Sequence, residues 1–441
     1  MSSSRSEPRS VALDVLRKLD GGSFAQFVLQ QETRRAGLDR RDTRFVWELA
    51  LGVERWRAYL DDAITPLLRR GLAKTDAMTL MIIRIGVYQL LFMDRVPARA
   101  AVHATVELAK ARRGEAPARF VNGVLRALQR GKYSPPSDLS VPSLSIRQSH
   151  PEWLVERYIQ ETNLEDAEVR CQSQNRPAEL TVRCPPTADR AAVMASLMEE
   201  GAEVSLTQWS PNGLRISGHP DPFNSSTFLQ QEWVVQDESS QLTVELLGAT
   251  HKESVWDVCA APGGKTRYLC EILADGGQVF ATDLSPKKLQ KLAALLGGKT
   301  EFRVHDGREP LDPERRFDRV LLDAPCTALG LVRRHPEIRW RRSNQDVLDR
   351  ASLQKKILEN VANHVRPGGV LVYSVCSDTL EEGPHQIEAF LKSRDDFISE
   401  QPEDGDVQWS DLCENGLMRL YPHRQGCDGF FAARLRRLGD E

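Results

Sequence analysis

The stretch VWDVCAAPGGKT, residues 255–266, decides how the second half of this chain is read. An apolar run, Val255–Val258, leads into a tight turn with adjacent glycines, Gly263 and Gly264, and then into a helical segment. A phosphate loop of the GxxxxGK[ST] type ends in the same letters, but it requires a glycine five positions before Gly264, where this chain has Cys259. Pro262 removes one of the N–H groups that such a loop needs. The dinucleotide pattern GxGxxG fails too, because the two glycines are neighbours. What remains is strand, glycine turn and helix, followed by GQVFATD (277–283), which ends on Asp283, 19 residues beyond Gly264. A carboxylate so placed accepts hydrogen bonds from ribose hydroxyls. Its other use is to cap the helix SPKKLQKL, a role equally open to Ser285 before Pro286. The turn fits an adenosine cofactor without a pyrophosphate, and S-adenosylmethionine answers that description.

Outward from this turn, strand and helix signals alternate. VWDVC, GQVFATD, EFRVHD, RVLLDAP and GVLVYSV are candidate strands, separated by segments long enough for helices. Such alternation predicts an α/β, doubly wound, Rossmann-like domain with a parallel sheet covered on both faces, over residues 236–441. The end, RLYPHRQGCDGFFAARLRR, reads as two strands around a glycine turn, antiparallel at the sheet edge. Ahead of it, SHPEWLVERY reads as a short helix, and residues 179–217 read as strand, helix and two strands. They form a small α/β, RRM-like module spanning 145–235.

The front differs. In SVALDVLRKL, RFVWELALGVERWRAYL and ARFVNGVLRALQR apolar residues recur at three and four, so residues 1–135 are read as an all-helical bundle. KYSPPSDLSVPS (132–143) reads as a linker. Residues 1–135 carry 24 Lys and Arg against 14 Asp and Glu, and the rest carry 35 against 48. The net charge of −3 thus hides a basic front, which suits a polyanion, and an acidic back. AMTLMIIRIGVYQLLFM is interrupted by Arg84 and is short for a membrane span, so it is read as a buried helix. The start, MSSSRSEPRS, has no apolar signal region. Eight cysteines without a CxxC pair or a His/Cys cluster at ligand spacing point to free thiols in a reducing cytoplasm and to no metal.

Two of those thiols carry chemistry. LLDAPCTALG puts Asp323 and Cys326 just past one strand, and LVYSVCSD puts Cys376 just past another. Ligands of a doubly wound sheet sit outside the carboxyl ends of its strands, and neighbouring strands lie about 4.8 Å apart, so both sulfurs could reach one substrate. Carbon 5 of a pyrimidine is a poor nucleophile. Thiolate addition at carbon 6 places carbanion character on carbon 5, which can then attack a sulfonium methyl. A free thiol is already a few per cent thiolate at neutral pH. Residue chemistry alone does not say which cysteine attacks. LVRRHPEIRWRR, directly after, holds Arg333, Arg334, Arg339 and Trp340. As a charge run it fits a solvated face, and beside the crevice it is read as contacting RNA through phosphate pairing and base stacking.

DVCAAPGGKT, ATDLS, DAPCTALG, YSVCSDTLEE and DGFFAARLRR, in this order, resemble the RNA 5-methylcytosine methyltransferases, and the helical front resembles the NusB-like RNA-binding domain. The resemblance implies a cytoplasmic, monomeric enzyme that methylates a cytosine of small-subunit (16S) ribosomal RNA. It implies that Cys376 is the nucleophile and that Cys326 assists release of the product. It also implies that Cys259, Ala260, Ala261, Pro262, Gly263, Gly264 and Lys265 surround the methionine part of the cofactor, with Asp283 on the ribose, Asp306 on the adenosine side and Asp323 between donor and cytosine. The chain departs from the family's usual pattern at Val375, where Thr is expected, and at Gly383, where Asn is expected. The competing reading is a non-catalytic RNA-binding, ribosome-assembly or antitermination-like factor that keeps the fold. An NAD-dependent oxidoreductase is disfavoured by the missing GxGxxG.

Overall fold

The computed structural model describes residues 7–219, 221–274, 276–297 and 300–439, so the opening MSSSRS, read above as lacking a signal region, lies outside the described residues. The chain divides into two compact units, Met1–Arg176 with Val332–Arg342, and Pro177–Leu331 with Ser343–Glu441. The division falls at Arg176 and not in the Pro/Ser-rich stretch 132–143. Its physical reason is a helical run past that stretch, Val141–Gln148, Glu152–Glu161 and Leu164–Gln174, which buries Leu144, Leu154, Val155, Tyr158, Ala167 and Cys171. Ser149 Oγ accepts the Ala58 N–H at 3.0 Å and joins this run to the front helices.

In the first unit, helices Pro8–Asp20, Ala25–Arg35, Arg40–Arg55, Arg57–Ile64, Ala77–Phe92, Ala98–Arg113 and Glu115–Arg130 enclose one core. Their starts follow local chemistry. Asp39 and Asp76 accept the backbone N–H groups of Asp42 and Thr79, satisfying donors a helix cannot pair internally. Ala77–Phe92 is the buried helix expected of its apolar sequence, and its Arg84 makes a two-pronged pair with Asp61 at 2.7 Å.

The second unit contains two sheets. Strands β1 (Leu180–Arg183), β2 (Glu203–Leu206), β3 (Gly213–Ser217) and β4 (Val234–Val235) pair antiparallel in the order β2-β3-β1-β4. The helix Arg190–Glu199 and Trp233 complete the module's core. The larger sheet comprises, among the described residues, β5 (Ser254–Asp257), β6 (Gln278–Asp283), β7 (Thr300–Val304), β8 (Phe317–Asp323), β9 (Val365–Val375), β10 (Phe397–Ser399), β11 (Cys413–Glu414), β12 (Leu417–Leu420) and β13 (Phe430–Arg437). Its order is β11-β12-β13-β9-β8-β5-β6-β7, with β10 on β13. From β7 to β9 the pairing is parallel, and alternate residues of β9 enter different cores: Val370 and Val372 one, Leu371, Tyr373 and Val375 the other. Both faces are thus covered, as a parallel sheet requires. The last strand is antiparallel as expected but not at the edge, since β13 pairs with β9 on one side and β12 on the other. From β5 the chain winds outward through β6 to β7, then in the other direction through β8 to β9. The crevice at the carboxyl ends of β5 and β8 is therefore where a ligand of this fold sits.

Candidate active site

The cofactor side begins where β5 ends. Gly263 has φ +110°, and a Cβ there would lie 2.0 Å from Leu292 Cδ1, so only glycine lets the turn approach the helix Pro286–Leu296. Ala260 donates its N–H to Thr282 O at 2.8 Å, and Ala261 donates to Asp283 Oδ2 at 3.1 Å. Asp283 Oδ1 accepts from Ser285 N at 2.8 Å. The helix cap is Ser285, whose Oγ accepts from Lys288 N, so Asp283 joins two turns at the mouth of the crevice instead of capping. Beneath the turn Asp257 Oδ2 accepts from Thr266 Oγ1 at 2.7 Å, while Asp257 Oδ1 is buried without a hydrogen-bond partner. Burial, with the Asp323 and Asp283 charges adding, pushes the Asp257 carboxyl up to about 7 against the Thr266 hydrogen bond and the Lys265 charge. Burial and the surrounding carboxylates also push the Cys259 thiol well above the usual range, so Cys259 stays protonated. Past β7, the Arg308 guanidinium and N–H hold Asp306 down at about 2.

The substrate side is built by β8 and β9, which are neighbours with Asp323 opposite Ser374. Ser374 Oγ donates to Asp323 Oδ1 at 3.0 Å and Lys265 Nζ donates to Asp323 Oδ2 at 2.7 Å, so Asp323 links the glycine turn to the β8–β9 edge. Burial pulls the Lys265 ammonium down, but the Asp323 carboxylate, with Cys376 adding, outweighs it and raises Lys265 above its ordinary value. The two sulfurs meet there, with Cys326 Sγ 3.2 Å from Cys376 Sγ. That hydrogen bond and burial push the Cys326 thiol well above its ordinary range, with the Glu382 and Asp323 charges adding, so Cys326 keeps its proton. Gly330 N donates to Cys376 O at 3.2 Å, and a Cβ on Gly330 would lie 1.9 Å from Gly429 O, so the loop after Cys326 closes against the loop before β13 only with glycine there. Val375 is core, and at Gly383 a Cβ would meet Phe431 Cγ at 3.0 Å, so the departure at that position comes with an aromatic packed over the glycine.

Sequence reading missed Glu382. Fully buried, it accepts hydrogen bonds from residues next to both cysteines, Thr327 and Ser377. The signal was an acid six positions after Cys376, amid the hydroxyl side chains of Ser377 and Thr379.

The run after Cys326 departs from expectation. Val332–Arg342 belongs to the first unit. Arg339 is fully buried and donates to Ser149 O at 3.0 Å, Asn175 Oδ1 at 2.8 Å and Gln174 O at 3.3 Å, so its guanidinium is spent on the scaffold and cannot pair with phosphate. Trp340 donates from Nε1 to Glu54 O at 2.7 Å, with Arg57 over its ring, which removes it as a stacking platform on that face. Buried Glu337 accepts Ala25 N at 2.9 Å at the start of helix Ala25–Arg35, and Arg341 donates to Ser23 O at 2.9 Å. Arg333 and Arg334 are half-buried on the same segment. Elsewhere in this unit, helices Ala98–Arg113 and Glu115–Arg130 flank a groove of about 1030 Å³ lined in part by Arg99, His103, Asn122, Arg126 and Gln129. Among the described residues no group of three His, Cys, Asp or Glu could hold a metal, and no helix is long and apolar enough to cross a membrane.

A glycine turn without phosphate-loop character, on a doubly wound sheet whose last strand runs antiparallel, defines the chain as a Rossmann-like methyltransferase. Its sequence matches the family described as 16S rRNA methyltransferase RsmB/F over residues 244–436, the NusB family over 6–130, and the ferredoxin-like domain of the RsmF/B-like methyltransferases over 150–221. It is 34% identical, over 97% of this chain and 99% of the relative, to "Probable ribosomal RNA small subunit methyltransferase B" of Synechocystis sp.. It is 33% identical, over 90% of each, to "Ribosomal RNA small subunit methyltransferase B" of Escherichia coli O1:K1 / APEC. The crystal structure of PH0851 superposes with a TM-score of 0.81 at 26% identity, covering 98% of this chain and 99% of that one. The chain belongs to the RsmB/F family of 16S rRNA methyltransferases.

Proposed function

We propose that this protein transfers a methyl group from S-adenosylmethionine to carbon 5 of a cytosine in small-subunit ribosomal RNA, through a covalent adduct with Cys376. The observation that carries this reading is the Cys326–Cys376 contact at 3.2 Å, on adjacent strand ends beside the glycine turn. The residues fit the cofactor: a turn that admits no side chain at Gly263, a carboxylate at the end of β6, and an Asp257 oxygen left without a donor. Cys259, Ala260, Ala261, Pro262, Gly263, Gly264 and Lys265 would hold its methionine part, Asp283 its ribose and Asp306 its adenosine side. When bound, S-adenosylmethionine supplies an electrophilic methyl.

The chain's own residues do the rest. Cys376 sulfur bonds to carbon 6 of the base, the carbon 5–carbon 6 π bond breaks, and its electron pair moves to carbon 5. Asp323, fixed by Ser374 and Lys265, lies between donor and base. After methyl transfer the carbon 5 proton passes to solvent, the C–H electron pair restores the double bond, and Cys376 leaves as a thiolate with the carbon–sulfur pair; Cys326, which keeps its proton while the site rests, assists this release. The basic groove at Arg99 and Arg126 offers RNA phosphates a seat on the helical unit, and Arg333 and Arg334 remain candidates for RNA contact. The enzyme acts as a cytoplasmic monomer. In a labelled-methyl transfer assay on unmodified small-subunit rRNA, Cys376→Ala is expected to lose all turnover. Normal turnover by that variant would sink the mechanism, and a wild-type protein that binds the RNA but transfers nothing would favour the non-catalytic assembly factor.

A further inference from the structure

Glu382 accepts five hydrogen bonds, four of them from the loops that carry the two sulfurs. Its Oε1 accepts from Thr327 N at 2.8 Å and from Gln354 Nε2 at 2.9 Å. Its Oε2 accepts from Thr327 Oγ1 at 2.5 Å, Ser377 Oγ at 2.6 Å and Thr379 Oγ1 at 3.2 Å. Thr327 follows Cys326 and Ser377 follows Cys376, so one carboxylate grips the residue after each cysteine. Gln354, from helix Asn344–Ala362, also donates to Pro325 O at 3.1 Å, so the peptide before Cys326 is held by the same amide that binds Glu382. The Tyr373 hydroxyl donates to Glu382 O at 2.6 Å and fixes the acid's own backbone against β9. Glu382, Thr327, Ser377 and Thr379 are each at most 1% exposed, and Gln354 is fully buried. A buried carboxylate is costly to desolvate and is retained where donors surround it. Here all the donors belong to, or brace, the two cysteine loops.

We infer that Glu382 is a positioning residue that sets the separation of the two thiols through Thr327 and Ser377, with Gln354 bracing the Cys326 side, so that adduct formation and release occur on the same base. This rests on the proposed cysteine chemistry. A buried charge placed only to stabilise the fold could sit on any pair of elements, whereas this one couples the two loops whose sulfurs must act in sequence. Misplacement of a reacting group by about 1 Å can cost about 100-fold in rate.

The test uses full-length Glu382→Ala, Glu382→Gln and Ser377→Ala. Glutamine keeps one acceptor for Thr327 N and Gln354, and its amide can donate to hydroxyls that turn to accept. Glu382→Ala is expected to lower kcat about 100-fold, with KM for RNA and affinity for the methyl donor within about threefold, and to leave protein–RNA adduct persisting on denaturing gels. Glu382→Gln is expected to recover most of that loss. Ser377→Ala, which leaves the acid in place, is expected to lower kcat about 3- to 10-fold, the worth of one hydrogen bond. It decides the matter if Glu382→Ala does not fold. A second readout needs neither RNA nor donor: diamide takes the hydrogen of both thiols and becomes a hydrazine while Cys326 and Cys376 form a disulfide, and this crosslinking should slow at least about fivefold in Glu382→Ala or Ser377→Ala. A folded Glu382→Ala, or Ser377→Ala, with wild-type kcat and wild-type crosslinking overturns the assignment. A wild-type protein that crosslinks readily but transfers no methyl overturns the reaction and leaves the crosslink to judge the bracket.

Discussion

Two consecutive segments, Asp323–Gly330 and Val332–Arg342, are each anchored by one buried ion, on opposite plans. The first is held by an anion, Glu382, which collects donors from the backbone and hydroxyls of the cysteine loops. The second is held by a cation, Arg339, which delivers donors to the carbonyls of Ser149 and Gln174 and to the side chain of Asn175. Around Glu382, Thr327 and Ser377 flank the two cysteines, with Thr379 and Gln354 beside them. Around Arg339 the partners belong to the helical run after residue 140, and the segment adds Glu337 at a helix start and Trp340 on a carbonyl. The difference teaches that Arg and Trp within a charged run, here Arg339 and Trp340, can be spent on scaffold contacts. Local charge density does not separate the two uses.

Substitutions should therefore split cleanly between stability and chemistry. Arg339→Met should have the largest effect on stability. It leaves three buried acceptors without donors at roughly 1–3 kcal/mol each, so a loss of at least about 3 kcal/mol is expected in urea unfolding, with methyl-donor affinity unchanged. Unchanged unfolding together with weaker, less salt-dependent RNA binding would return Arg339 to the RNA surface and break the comparison. Cys326→Ala should act the other way. Its unfolding should stay within about 1 kcal/mol of wild type, as is common for a single small change, while turnover falls about 100-fold, or about 2.7 kcal/mol of barrier, and adduct through Cys376 accumulates on a denaturing gel. Free turnover without adduct would take Cys326 out of the release step.

How much of this was legible follows the physical origin of each element. The parallel strands, the glycine turn and the paired cysteines were readable because apolar runs and turn residues act locally. The helix Leu164–Gln174 was not. Its sequence LEDAEVRCQSQ carries few apolar residues, and it forms on the Asn163 cap and on burial of Ala167 and Cys171. The interior place of β13, and the roles of Glu382 and Arg339, depend on partners far along the chain: Thr327 lies 55 residues from Glu382, and Ser149 lies 190 from Arg339. No local pattern encodes such distances.

A pH-dependent effect sharpens the comparison on the cofactor side. Burial raises the Asp257 carboxyl to about 7, above an unfolded value near 4. A raised folded-state value stabilises fully below the unfolded value, and that stability is lost as pH rises toward 7. Relative to Asp257→Asn, wild type should lose up to about 1.4 kcal/mol per pH unit between about pH 4 and 7, and nothing further above that, in melts of both proteins across pH 5–8. A constant difference across that range would mean that the carboxyl is not held up.

In the proposed reaction two thiols on adjacent strand ends serve the transfer of a methyl group from S-adenosylmethionine to carbon 5 of a cytosine. The direct test incubates purified protein with methyl-labelled S-adenosylmethionine and unmodified small-subunit rRNA, digests the RNA to nucleosides, and separates the label. The account predicts label in 5-methylcytidine alone, absent with Cys376→Ala. Label in any other nucleoside, or in 5-methylcytidine made equally well by Cys376→Ala, would contradict it.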